Sequence, residues 1–104
     1  MTTGAALIWC PFPDAGEPQK VARQLLEERL IACANILPAM QSVFRWQGEI
    51  GTAEEVAVLF KTSAARLEAA TARLAQLHSY DVPAIAGWHA DSTPPETCEW
   101  LASN

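Results

Sequence analysis

The chain has 104 residues, half of them apolar, and a formal net charge of −5. That length is a single domain with one core, and below this size chains lean increasingly on disulfides, metals or assembly. The negative balance argues against nucleic acid or an anionic membrane as the main partner, and the scattered acids form no acidic tail.

Ala5 to Cys10 is a short continuous apolar run, which predicts a central strand. Pro11, Pro13, Asp14 and Gly16 predict a loop. Pro18 suits a first helical turn, and Val21, Ala22, Leu25, Leu26 and Leu30 recur at helical spacing. A helix is therefore expected over 18–30. Residues 31–46 are rich in strand formers but contain Pro38, which predicts an edge or bulged strand. Gln47-Gly48 reads as a turn, and residues 54–62 return as a second strand, making a long hairpin. Ser63 is the expected N-cap of a second helix, along which Leu67, Ala70, Leu74 and Leu77 share one face. A loop over 78–83 leads to a fourth strand at 84–89. Thr93-Pro94-Pro95-Glu96 opens a short terminal helix ending with Trp100 and Leu101.

The order βαββαβ plus a terminal helix is the ferredoxin-like, α+β pattern. Two helices would cover one face of an antiparallel sheet and leave the other open. Open edges recruit further strands. Trp46 and Trp100 lie near a hairpin tip and near the chain end, places a monomeric core does not easily reach. Topology and composition therefore imply an oligomer that buries the open face.

Cysteines stand at 10, 33 and 98, an odd and widely spaced set. This argues against a secreted disulfide framework, a zinc ribbon and a thioredoxin-like pair, and free thiols suit a reducing compartment. The apolar stretch before Cys10 is too short for a signal peptide or a membrane span and has no basic residue ahead of it. A cytoplasmic location is expected.

Several clusters occur in order: Cys10 with Pro13-Asp14; residues 30–35 (LIACAN) with Pro38; residues 42–50 (SVFRWQGEI); Glu55-Val56 followed by Lys61-Thr62; His78-Ser79-Tyr80 with Pro83; and Trp100. Together they resemble the CutA divalent-cation-tolerance family over residues 7–101, with its A-C-x-N, S-x-Y-x-W-x-G, E-V-x-x-x-x-K-T and H-P-Y-x-x-P segments. The resemblance implies a ferredoxin-like fold similar to the PII signalling proteins and a tight homotrimer made by inter-subunit strand pairing. It also implies tolerance to divalent metals, copper above all, through weak or auxiliary binding at Cys10, Cys33 and His78, with no metal required for folding. The chain departs from the pattern at Phe44, Ser79, Ala84, Gly87-Trp88 and Thr97. Most of these changes fall around the fourth strand, where a family site would draw polar groups.

Thiolate and neutral imidazole are suitable ligands for copper. The plain alternatives are a buried core thiol for Cys10 and Cys33, and a backbone-bonded loop residue for His78. Cys98 has no trusted family counterpart. Glu55 and Lys61 lie six apart on one strand, so both point to one face and could line an inter-subunit cleft with Tyr80. Trp46 and Trp100 are expected as interface aromatics. No phosphate-cradling loop, H-E-x-x-H or nucleophile elbow occurs, so an enzyme is not expected. The competing functional class is a PII-like signalling trimer that holds a small anion or a protein partner in its clefts.

Overall fold

The computed structural model describes residues 4–104. Its elements run β1 (Ala5–Phe12), α1 (Gly16–Glu27), β2 (Cys33–Trp46), β3 (Glu49–Ser63), a 3-10 turn (Ala64–Arg66), α2 (Leu67–Leu77), β4 (Ala86–His89) and α3 (Pro95–Ser103). The sheet order is β2-β3-β1-β4, with every pair antiparallel. This is the expected ferredoxin-like α+β arrangement.

Several boundaries differ from the sequence expectation for local reasons. The helix α1 starts before Pro18 because the Asp14 carboxylate accepts the Gly16 and Glu17 N–H groups at 3.0 and 2.9 Å. It stops at Glu27 rather than Leu30. Arg29 turns left-handed (φ 61°), its N–H reaches Leu26, and the Leu30 N–H reaches Leu25. Those two bonds are a Schellman ending, with arginine where glycine is usual. Ser63 closes β3 and makes no side-chain cap, because the 3-10 turn stands between it and α2. The hairpin is longer than expected: β3 begins at Glu49, directly after Gln47-Gly48, where both φ angles are positive. Two such residues form the mirror-image turn that matches strand twist. The fourth strand is shorter, only Ala86–His89, whereas α3 runs on to Ser103.

Pro38 does what its missing N–H requires. The register of β2 against β3 shifts between Leu37 and Met40, and Ala39 sits at φ 61°. The strand is an edge and is bulged there.

Ile8, Cys10 and Phe12 of β1 stand opposite Phe60, Val58 and Val56 of β3. With Val21, Leu25, Ala70 and Leu74 of the two helices, Ile8, Cys10, Phe12, Val58 and Phe60 make the main core. Each fully buried leucine or phenylalanine there contributes about 1.5–3 kcal/mol by leaving water. The alternate residues point to the other face. Leu7 and Trp9 of β1, Ala57, Leu59 and Lys61 of β3, Cys33 and Leu37 of β2, and Trp88 of β4 share that side by register. Trp9, Leu37 and Trp88 are exposed on it. The terminal helix α3 closes only one end of this face, where Leu101 is buried with Ala5 and Ala32.

Candidate functional site

His78 follows α2 directly, and its backbone N–H still bonds Leu74. Its ring stacks on Phe12, centroids 4.4 Å apart, and the Tyr80 ring tilts against it at 4.8 Å. The Nε2 atom lies 2.8 Å from the Pro11 carbonyl oxygen. That oxygen can only accept, so Nε2 carries the hydrogen and donates. The Tyr80 N–H donates to Nδ1 at 3.0 Å, so Nδ1 must present its lone pair. The ring is therefore the neutral Nε2–H tautomer with both nitrogens engaged. Glu17 comes within 3.7 Å of Nδ1, a spacing that would suit a protonated ring. Protonation at Nδ1 and acceptance from Tyr80 exclude one another, and the hydrogen bond is the shorter contact. Glu17 instead accepts the Ser79 N–H at 2.9 Å.

The Tyr80 hydroxyl donates to Glu55 at 2.9 Å, tying the loop to β3. Desolvation, then this bond, push the Tyr80 phenol up to about 12. Cys10 is fully enclosed, and its thiol makes a weak 3.5 Å contact with the Pro11 carbonyl. Burial first, then the nearby Glu17 and Glu55 charges, push that thiol up to about 12. It is a protonated core thiol at neutral pH, and the thiolate is the form that binds metal.

The other expected residues lie apart from this cluster. Cys33 stands opposite Lys61 at the start of β2, on the uncovered face, half-buried. Cys10 is on the helix-covered face, so the two thiols are on opposite sides of the sheet. Glu55 pairs with Tyr80, and Lys61 sits toward the other end of β3; no ion pair joins them among the described residues. Trp46 projects at the hairpin tip, 53% exposed, and Trp100 on α3 is 48% exposed. Cys98 rests near the Thr93 carbonyl.

The expected metal set of Cys10, Cys33 and His78 is thus not assembled within one chain. No group of three His, Cys, Asp or Glu side chains converges among the described residues. His78 has no free lone pair, Cys10 holds its proton, and Cys33 faces elsewhere. A resident metal does not fit this donor set in the single chain. Glu17 is the cluster member that sequence reasoning missed. It lies 62 residues from Ser79 in the chain, and no spacing pattern links a first-turn helix acid to a distant loop N–H.

These features define a class: a ferredoxin-like antiparallel α+β domain with a histidine-locked loop, a long hairpin and one uncovered apolar sheet face. The family description "CutA1 divalent ion tolerance protein" matches residues 6–104. The chain belongs to that family. It is 37% identical over 94% of its length to a protein of Thermococcus kodakarensis named "Divalent-cation tolerance protein CutA", covering 93% of that protein. Among solved structures, CutA from Xylella fastidiosa superposes with a TM-score of 0.89 at 36% identity, covering 95% of both chains. The CutA1 protein of Ehrlichia chaffeensis gives 0.90 at 30% identity, covering 97% of this chain and 94% of that one.

Proposed function

We propose that the chain works in divalent-cation tolerance as a homotrimer, in the cytoplasm, with metal contact that is weak and auxiliary rather than built into the fold. One observation carries the assembly. The sheet face bearing Trp9, Leu37 and Trp88, and the hairpin bearing Val43, Phe44, Trp46 and Ile50, expose large apolar side chains together. Apolar surface on this scale marks a protein interface. A three-fold ring would seat the hairpin of one copy on a different surface of the next. Glu55, Lys61 and Tyr80 would then line the clefts between copies.

Within this proposal Cys33 is the thiol that contacts metal, because its side chain is neither enclosed nor flanked by the histidine lock. A soft ion such as Cu(I) suits it, and thiols from neighbouring copies could share the ion. Light scattering is expected to give three times the 11.3 kDa chain mass. A stable monomer would overturn the assembly. Copper titration under reducing conditions is expected to lose stoichiometry in Cys33→Ser and to keep it in Cys10→Ser. Equal stoichiometry in wild type and in the double variant would remove thiols from the role. A thermal shift with small anions and none with copper would favour a PII-like signalling trimer instead.

A further inference from the structure

Arg66 lies in the 3-10 turn between β3 and α2, far along the chain from α3. Its guanidinium nonetheless reaches the end of that helix. One nitrogen, Nη1, donates to the Leu101 carbonyl at 3.2 Å and also to the Asn104 carbonyl, and Nη2 donates to the Ala102 carbonyl at 3.1 Å. The last carbonyls of a helix have no partner within it, and they carry the negative end of its dipole. A planar cationic fork is well matched to them.

The rest of the attachment of α3 is narrow. Leu101 is its one buried side chain, 2% exposed, packed with Ala5 and Ala32 beside Ala90. Leu101 therefore fixes where the helix sits, and Arg66, on the carbonyl of that same residue and the next, fixes how it is turned. Trp100 precedes Leu101, so the rotation about the helix axis sets the direction in which Trp100 projects. The Trp100 carbonyl is taken by Ser103 and Asn104 side chains, which tighten the same turn.

We propose that Arg66 is a positioning residue for subunit contact: it locks the terminal helix in the rotation that presents Trp100 to a second copy of this chain. The proposal rests on the trimer reading above and names one device behind it. The occupant is a sister copy because α3 is seated, through Leu101 on Ala5 and Ala32, at one end of the sheet face that bears the exposed Trp9, Leu37 and Trp88. That is the face the trimer reading covers, and Trp100 is itself exposed on that helix.

Two readouts on the full chain separate the device from the assembly. Amide hydrogen exchange over residues 95–103 reports the lock itself. Native mass spectrometry of mixed unlabelled and isotope-labelled protein reports subunit exchange. Arg66→Ala is expected to speed amide exchange in α3 at least tenfold while β1 and β3 keep their protection, and to speed subunit exchange at least tenfold. Arg66→Lys, which keeps charge but loses the fork, should fall between. Trp100→Ala should speed subunit exchange without loosening α3, and adding Arg66→Ala to it should give no further gain. Unchanged amide exchange in Arg66→Ala overturns the lock. Loosened amides with wild-type subunit exchange overturn the positioning role. A wild type that runs as a monomer sinks the trimer reading and the positioning role with it, leaving the amide data to judge the lock alone.

Discussion

Cys10 offers the sharpest test of how the site is built. Its thiol moves from 9.0 in the open chain to about 12 in the fold, through burial and two nearby carboxylates. At any pH below 9 the thiolate is then about a thousandfold scarcer in the folded protein, since each tenfold step is one pH unit. The Cys33→Ser, Cys98→Ser variant leaves Cys10 as the single thiol. Its alkylation by iodoacetamide at pH 8, followed by mass spectrometry, is expected to be at least a thousandfold slower native than in guanidinium. The stability consequence has a definite sign. Between pH 9 and 12 the unfolded chain releases the thiol proton and the folded chain keeps it, so stability falls as pH rises. The full loss amounts to roughly 4 kcal/mol, at about 1.4 kcal/mol per tenfold. Tyr80, raised from 10.0 to about 12, loses stability in the same direction but about one pH unit higher. The slope between pH 9 and 10 therefore comes mainly from Cys10, and Cys10→Ala should remove most of it in denaturant melts. A native alkylation rate within tenfold of the unfolded rate would refute the enclosure. An unchanged slope in Cys10→Ala would refute the proton linkage.

Two further predictions concern the backbone. Arg29 and Ala39 both hold left-handed φ angles near 61°. Replacing either by glycine is expected to raise stability by up to about 1 kcal/mol, because the Cβ clash outweighs the added chain entropy there. A loss in urea melts would show that the native side chain contributes more than its strain. At Gly87 a Cβ would fall 2.8 Å from Leu67 Cδ1, 3.3 Å from the Leu7 carbonyl and 3.4 Å from Thr71 Cγ2. Gly87→Ala should cost about 1–3 kcal/mol as an overpacked contact. The Leu67 methyl can swing away but the β1 carbonyl cannot, so Leu67→Ala should restore only part of the loss. Full restoration would place the whole conflict on Leu67.

Much of the fold was legible because its signals are local. The apolar run at Ala5–Cys10, the helical spacing around Leu25 and Leu74, the Gln47-Gly48 turn and the Pro38 irregularity each mark one element, and chain order then gives the ferredoxin-like layout. Element ends were less legible. Arg29 ends α1 without glycine, and Asp14 starts it two residues early, since hydrogen bonds and not residue type decide those points. The site was legible only as a list of residues. Period-two alternation puts Glu55 and Lys61 on one side, but nothing in the sequence says that Tyr80 will take Glu55. Cys10 and Cys33 look equivalent as thiols, and only strand register shows them on opposite sides of the sheet. His78 was identifiable as special, yet its two bonds come from Pro11 and Tyr80, one of them 67 residues away.

The irregularity at Pro38-Ala39 also sets the phase of everything beyond it. Before it, the odd-numbered residues Cys33, Asn35 and Leu37 oppose Lys61, Leu59 and Ala57. After it, the even-numbered Met40, Ser42, Phe44 and Trp46 oppose Glu55, Ala53, Gly51 and Glu49. One supernumerary residue has exchanged the parity of the strand, so Phe44 and Trp46 fall on the side of Trp9 and Trp88. The approach of the Phe44 ring to Gly51 fits this phasing. Excising Ala39 would restore the numbering parity yet leave Met40 opposite Glu55 and both aromatics on their present side, because the bulge already absorbs the extra residue. The ribbon thus carries one letter too many without losing its frame: the irregularity soaks up the surplus, and the aromatic stripe stays on one side of the protein.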